Sequence, residues 1–507
     1  MSYETIPTSD ENFDRDVSAT NRNVFGWYLY AFSSEPFIVS AMSTYFPLLL
    51  EEFARNNGVQ VDDHTVACGA EDKHCVLPLF GRRVFVDTSS FALYTFALGV
   101  LLQTVLVISV SGVVDVCKTV RFKRNVLLSF GMVGGLATCS TVLLRGNQYY
   151  ILALLTVISN CCYGVINVVG NSLLPDVVSD LKRVLYLYRV IDSDQLTTVI
   201  SGRGSGIGYI AAFVVQLCSV WLLRQPEYRD DIRVAVLLVG GWWMLFQLPL
   251  IWMLDDVVVR ENSTQFKWSR SRQYLKAGWQ SLGHAAMHAN LLKDVLIFLV
   301  GWFIISDSIT TINSAAILFS KTELHMSTVN LVVISILTMI NAVIGAYFVP
   351  QLLSERLELP PHQSLIYLIC WAGVIPFYGT LGFVFQSIGL KHPFEMYILA
   401  VWYGISMGGL AAVSRSVFSL LIPRGKESTF FSLFSITDKG SSVVGPLLIG
   451  LITDKTHNIR YSFYFLFLFV VASIPVFNAL NVQRGKVEAE ELAGINESRL
   501  ETNDGFA

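Results

Sequence analysis

The sequence predicts an all-α membrane protein, with twelve transmembrane helices arranged as two related halves of six. Three observations lead there. Apolar residues make up 53% of the 507-residue chain and charged residues only 15%, with a mean hydropathy of +0.53. Soluble globular chains carry nearer a quarter charged residues, and a bilayer absorbs an apolar excess that one core cannot. The apolar residues fall into roughly twelve continuous runs of about 20, the length a helix needs to cross the hydrocarbon. Finally, Gly202-Arg203-Gly204-Ser205 and Asp438-Lys439-Gly440-Ser441 each place a cation and a glycine inside such a run, six runs apart. Closed barrels are excluded, because the runs are continuous rather than alternating.

Taken in order, the spans are expected at 26–50, 90–114, 125–145, 149–174, 196–223, 234–254, 295–318, 328–350, 364–386, 395–422, 429–452 and 461–480. They divide the chain into a tail (1–25), a first bundle (26–254), a linker (255–294), a second bundle (295–482) and a charged tail (483–507) expected to lack fixed structure. The amino terminus opens with Glu4, Asp10, Glu11, Asp14 and Asp16. A cleavable signal would carry basic residues there, so the first span is expected to target the chain and remain.

Twelve spans place both termini on one side. The tails and even-numbered loops hold roughly 22 Lys and Arg against roughly 12 in the odd-numbered loops, which predicts cytosolic termini. The linker, with Arg260, Lys267, Arg270, Arg272, Lys276 and Lys293, joins them on that side. The first loop, 51–89, then faces away from the cytosol and holds Cys68 and Cys75. These are either a small disulfide or two free thiols. Cys139, Cys161, Cys162, Cys218 and Cys370 lie within apolar runs and read as packing residues, with Cys117 at a membrane edge. No metal-ligand spacing is present. The sequons at Asn262 and Asn496 fall on the cytosolic side and are expected to stay unmodified. A net charge of −3 and no basic tract give nucleic acid no footing.

The two halves match in three places. Gly26-Trp27-Tyr28 in the first span corresponds to Gly301-Trp302-Phe303 in the seventh. Tyr163-Gly164 leading to Pro175 corresponds to Tyr403-Gly404 leading to Pro423. Arg203-Gly-Ser in the fifth span corresponds to Lys439-Gly-Ser in the eleventh. A parallel repeat of six and six spans is the major facilitator architecture. Between spans two and three, Ser111-Gly-Val-Val-Asp115 followed by Lys118, Arg121, Lys123 and Arg124 is a degenerate form of that architecture's loop motif. Asp115 either caps a helix end and pairs with a neighbouring base to latch the cytosolic face, or belongs to a solvated charge cluster that merely orients the loop.

Charges inside spans are costly, so function is the default reading. Glu35 lies about nine residues into the first span, roughly 14 Å deep, and Pro36 beside it removes a backbone donor. Asp307 lies at similar depth in the seventh span, Arg203 and Lys439 match in the fifth and eleventh, Asp438 adjoins Lys439, and Arg415 is in the tenth. Lining a cavity, these groups suit a zwitterion. Its carboxylate would meet Arg203 or Lys439, and its ammonium Glu35, Asp307 or Asp438. Glu35 and Asp307 are also candidates to carry a proton. The competing reading pairs the charges with one another, Asp438 with Lys439 above all, and lets Arg415 snorkel to the interface. Asn160, Asn167 and Asn171 form one polar stripe on the fourth span, facing a cavity or a neighbouring helix. Glycines 202, 204, 206 and 208 follow no strand, so they read as close helix contacts and a bendable backbone rather than a nucleotide loop. No nucleophile–base constellation or phosphate loop suggests an enzyme, and no cofactor is implied.

The run Phe25-Gly-Trp-Tyr-Leu-Tyr-Ala-Phe-Ser-Ser-Glu-Pro-Phe-Ile-Val-Ser40 with Tyr45-Phe-Pro-Leu-Leu-Leu50 closely resembles the fungal autophagy-related protein 22 family. Cys68 and Cys75 fit it, as do Ile200-Ser-Gly-Arg-Gly-Ser-Gly-Ile-Gly-Tyr209, Pro423-Arg-Gly-Lys-Glu427 and Asp438-Lys-Gly-Ser-Ser-Val-Val-Gly-Pro446. The resemblance covers nearly all of the chain except the tails. It implies a vacuolar-membrane effluxer that returns leucine and other neutral amino acids from autophagic breakdown to the cytosol, proton-coupled or by facilitated diffusion. It assigns no substrate contacts residue by residue, so the candidate site rests on the cost of burying charge. Two alternatives stay open: a proton-linked carrier of another small solute, and a membrane sensor or scaffold that does not transport.

Overall fold

The computed structural model describes residues 10–492 apart from 61–63, 70–74, 187–192, 229–230, 258–271, most of 275–291, and 327, 443 and 457. The sequons at Asn262 and Asn496 and the linker cations Arg260, Lys267 and Arg270 lie outside the described residues.

The first crossing begins earlier than hydropathy suggests. Helix α1 runs Asp10–Pro36, a π-helical stretch follows at Phe37–Tyr45, and α2 continues Phe46–Asn56. Pro36 lacks an N–H, so the regular ladder gives way there and the wider π register takes over. Pro47 then sits at the start of α2, where its missing donor costs nothing.

The next crossings are α3 (Thr88–Cys117), α4 (Val120–Ser140), α5 (Tyr149–Ser172) continued by α6 (Leu174–Tyr186), α7 (Ser193–Leu223), and α8 (Ile232–Gln247) extended by α9 (Leu250–Met253). Thr119 caps α4 by accepting from the Phe122 N–H, and Asp231 caps α8 by accepting from the Arg233 N–H. These short polar side chains satisfy amides that the helix leaves unpaired. The second half holds α10 (Lys293–Thr322), α11 (Thr328–Gln351), α12 (Pro361–Leu381), α13 (Pro393–Leu421), α14 (Glu427–Ser441), α15 (Val444–Thr456) and α16 (Ser462–Asn478).

Among the described residues eleven helices are long and apolar enough to cross a membrane. The remaining crossing, eleventh in chain order, is the pair α14 and α15, broken between Ser441 and Val444. An even number of crossings puts both ends of the described chain on one side, called here the tail side. The first loop, opposite, is more ordered than its composition suggests. Strands β1 (Val59–Gln60), β2 (Cys75–Leu79) and β3 (Val84–Asp87) form an antiparallel sheet, with Val59 opposite Val76 and Leu77 opposite Val86. Its hairpin turns at Gly81 with φ +69°, a conformation glycine adopts without strain. Cys68 and Cys75 are joined as a disulfide at the base of the sheet.

Lipid tails are as apolar as leucine, so the helices associate by close packing rather than by escaping water. Glycines permit this where backbones meet. A side chain at Gly134 would strike Cys162 and Trp243, and one at Gly345 would strike the Ile405 carbonyl. Each half has its own aromatic interior, Trp27, Phe37 and Trp243 in the first, Phe298, Phe418 and Phe431 in the second. Leu93, Leu101, Leu154, Leu245, Phe348 and Leu468 remain exposed, as lipid-facing positions should.

Several of the hydrogen bonds that join the halves lie toward the tail side. Thr198 and Ser416 share a bond of 2.8 Å, and the Ser201 hydroxyl donates to the Ala412 carbonyl at 2.7 Å. The carboxy-terminal tail also departs from expectation, forming a helix over 482–492. Arg484 forks onto buried Asp294 at 2.6 and 2.8 Å, and Lys486 reaches Asp194 of the first half at 2.6 and 2.5 Å. Charge alone marked this segment as unstructured, but buried carboxylates on both halves give its cations fixed partners.

Candidate functional site

The first crossing delivers Glu35 to the middle of the molecule, one residue before the helix changes register at Pro36. Gly208 on α7 lies against the Glu35 stem, where a side chain would come within 3.1 Å of its Cβ. That glycine lets the carboxylate sit between the two helices. Across the boundary between halves, Arg415 of α13 and Lys439 of α14 lie within electrostatic reach of Glu35. No ion pair within 4.0 Å closes among these described residues. Arg415 instead donates to the Ser205 hydroxyl of α7 at 3.2 Å. Glu35, Arg415 and Lys439 all keep partial accessibility at this depth. Glu35 is thus set against α7, with the two cations reaching it electrostatically from the other half. Tyr30, Tyr163 and Tyr209 wall the same space, each sharing electrostatic contact with both Glu35 and Arg415.

Arg415 does not snorkel to the interface. Ser205, on the opposite half, gives its guanidinium an acceptor, so the side chain turns inward. Arg203 lies on the same helix as Ser205 within electrostatic reach of the Tyr28 hydroxyl, and its Nε has no partner among the described residues. The helix around it is not broken. α7 runs 31 residues through all four glycines. Gly204 receives the Trp27 ring, Gly202 the Ala346 carbonyl and Pro350, and Gly206 Tyr347. The bendable-backbone reading gives way to close contact, because the neighbouring rings and carbonyls occupy the space a Cβ would take.

Asp438 and Lys439 part company. Asp438 accepts from Trp302 Nε1 at 3.1 Å and from the Ser306 hydroxyl at 2.6 Å. Lys439 points instead toward α3, where Gln103 and Thr104 line a small gap. Successive residues on a helix do not face each other. Asp307 also stands apart from Glu35. Asp307 is 1% exposed and accepts from the Gly445 N–H at 2.9 Å. Asp307 thereby caps α15 at the break in the eleventh crossing, inside the second half. On α5, Asn171 donates to Asn167 at 2.6 Å and Asn167 to the Tyr163 hydroxyl at 3.3 Å, so this stripe is a ladder along its own helix. Asn160 is separate and lies against Gly99.

A second polar cluster closes the tail side. The Ser428 and Thr429 N–H groups at the start of α14 donate to Asp115 at 2.9 and 2.8 Å. The Ser428 hydroxyl also donates to the Ser172 hydroxyl at 3.0 Å. Lys123 pairs with Asp176 at 2.7 Å beneath them, both buried. In the adjoining loop, burial holds the Lys426 ammonium below its ordinary range. Of the two readings left open for the degenerate motif, the geometry is that of a helix cap across the halves. Sequence inspection missed Ser205, Gln103, Tyr163 and Tyr209 as wall residues. Hydroxyl and amide side chains are common in spans, and nothing in their spacing separates an inward face from a packed one.

A family model described as vacuole effluxer Atg22 like matches residues 19–490. Autophagy-related protein 22 of Kluyveromyces lactis is 59% identical over 500 residues, covering 97% of this chain and 100% of its own. Autophagy-related protein 22 of Saccharomyces cerevisiae (strain S288c) is 54% identical over 528 residues, covering 99% and 100%. Among solved structures, the major facilitator proton:xylose symporter XylE superposes with a TM-score of 0.61 at 12% identity, covering 95% of this chain and 99% of that one. The likeness to XylE is one of fold.

Proposed function

Because this chain belongs to the family of Atg22-like vacuole effluxers, we propose that it carries neutral amino acids, leucine among them, from the vacuole to the cytosol by alternating access. The observation that carries this reading is the arrangement of Glu35, supplied by one half, opposite Arg415 and Lys439, supplied by the other, with no direct ion pair formed. A zwitterion fits between them, its ammonium on Glu35 and its carboxylate on a base. Binding would then draw the halves together, because each end of the substrate holds a different half. A neutral sugar has no need of the paired charges.

On this reading both termini are cytosolic and the tail-side contacts seal the cytosolic face, so the polar route is approached from the lumen. On the same reading Glu35 takes a proton from an acidic lumen and releases it with the substrate, since removal from bulk water disfavours a carboxylate's charged form.

The test is counterflow in proteoliposomes with labelled leucine, tyrosine, lysine and glucose, at lumenal pH 5 and 7. Leucine and tyrosine uptake without glucose uptake is expected, faster with the acidic lumen. Uptake of glucose alone would support a carrier of another solute, and no uptake of any substrate would favour a sensor. Leucine uptake indifferent to pH would leave facilitated diffusion and remove the proton from Glu35.

A further inference from the structure

Gln103 of α3 and Lys439 of α14 face one another across the boundary between halves, lining a small gap with Thr104 and Ser435. Gln103 is 5% exposed, and its Oε1 has no hydrogen-bond partner. Leaving a buried carbonyl unsatisfied is costly, so such a group in a native structure calls for a reason. The Lys439 ammonium has no carboxylate or carbonyl within bonding distance among the described residues, its neighbour Asp438 being held by Trp302 and Ser306. Position rather than looseness sets Gln103 there. Its amide packs over Gly164 of α5, where any side chain would overlap it. Glu35 of the first half lies within electrostatic reach of Lys439.

We propose that Gln103 and Lys439 form the subsite for the head of a free α-amino acid, holding its carboxylate, an inference that rests on the transport reading above. Lys439 supplies the charge that a carboxylate needs. The Gln103 amide offers one donor and one acceptor side by side. Its Nε2–H donates to the carboxylate while its Oε1 accepts from the adjacent ammonium, which Glu35 holds from the other side. A primary amine lacks the first partner, and an amino-acid amide offers Lys439 no negative charge. The subsite thus selects free amino acids against amines, amides and the interior of peptides. Its two members belong to opposite halves, so a bound head group bridges α3 and α14.

The experiment is leucine counterflow by the purified full chain, with unlabelled leucine or leucinamide as competitor. The wild type should be inhibited by leucine at least about tenfold more effectively than by leucinamide, the loss expected when a charge-assisted hydrogen bond goes unmade. Gln103→Leu and Lys439→Gln should each raise the leucine KM about tenfold with little change in maximal rate and should narrow the discrimination. Gly164→Ala, which touches no proposed ligand, should displace Gln103 and reproduce the KM effect. Should Gln103→Leu fail to fold, Gln103→Asn and Gly164→Ala carry the test, scored also by leucine binding to monodisperse protein. Wild-type KM and discrimination in these variants would overturn the subsite while leaving amino-acid transport standing. Absence of leucine uptake by the wild type itself would overturn both.

Discussion

Asp115, at the end of α3, accepts the Ser428 N–H at 2.9 Å although the two residues lie 313 positions apart. The Thr429 N–H adds a second bond, so one carboxylate of the first half receives two of the free amides that open α14 in the second. A helix amino terminus carries partial positive charge, and the buried carboxylate matches it. The same pair must separate when the tail side opens. We therefore expect Asp115→Ala to weaken the closed state by about 2 kcal/mol, the range for losing charge-assisted bonds at a buried site. Distance measurements between spin labels on the tail-side ends of α3 and α14 should show a broader, longer distribution in the variant. An unchanged distribution would reduce Asp115 to a passive cap.

Glu35 and Asp307 occupy corresponding spans but different surroundings, and substitution should separate them. Glu35→Gln is expected to abolish the pH dependence of leucine counterflow and to cut the rate at least about tenfold, because the ammonium loses its charged partner. Asp307→Asn removes the carboxylate that caps α15 and should cost about 1 kcal/mol of stability. Its pH dependence should survive. Counterflow at two lumenal pH values beside thermal melts in detergent separates the two outcomes, and loss of pH dependence in Asp307→Asn would place the proton there instead.

Gly345 sits where α11 crosses α13, with the Ile405 carbonyl occupying the space of its absent side chain. Gly345→Val should force the helices apart and cost several kcal/mol, about the upper range for overpacking a tight interface. Fluorescence-detected size-exclusion profiles would register this as aggregation or loss of the monodisperse peak. A normal profile would mean the crossing is more compliant than its geometry implies.

Asp231 caps α8 on the side opposite the tails, and its hydrogen bonds to Arg233 at 2.8 Å hold the carboxyl below its ordinary range. A depressed carboxyl contributes stability above its unfolded-state value and loses it as pH falls through the lower folded value. This contribution should therefore persist through the mildly acidic range and fade only below about pH 4, where an ordinary aspartate titrates. Asp231→Asn is expected to lower stability by about 0.5 kcal/mol after solvent screening, equally at pH 5 and 7. Melting curves across that range check it, and a difference that vanished between pH 7 and 5 would contradict the assignment.

Much of this molecule was legible before any helix was placed. Hydropathy located the crossings because a bilayer demands long apolar runs whatever the neighbours are. The Arg203 and Lys439 words disclosed two related halves, and Pro36 marked the place where the first helix changes register. The break after Ser441 was not legible as distinct from Gly202–Gly208. Both stretches are rich in small residues, yet only the eleventh crossing parts, with Asp307 accepting from the buried Gly445 amide on the far side of the break.

Composition, span count, the repeat and the identity of the buried charges belong to the sequence by itself, since each depends on how a residue fares against water or lipid. Which charges meet was decided by tertiary structure alone. Each successive helical residue turns about 100° around the axis, so Asp438 and Lys439 face different neighbours although adjacent. Glu35 and Arg415 share one space although they come from opposite halves. A one-dimensional pattern records the cost of burying a charge, while the direction in which the charge points depends on the packing of helices remote in the chain.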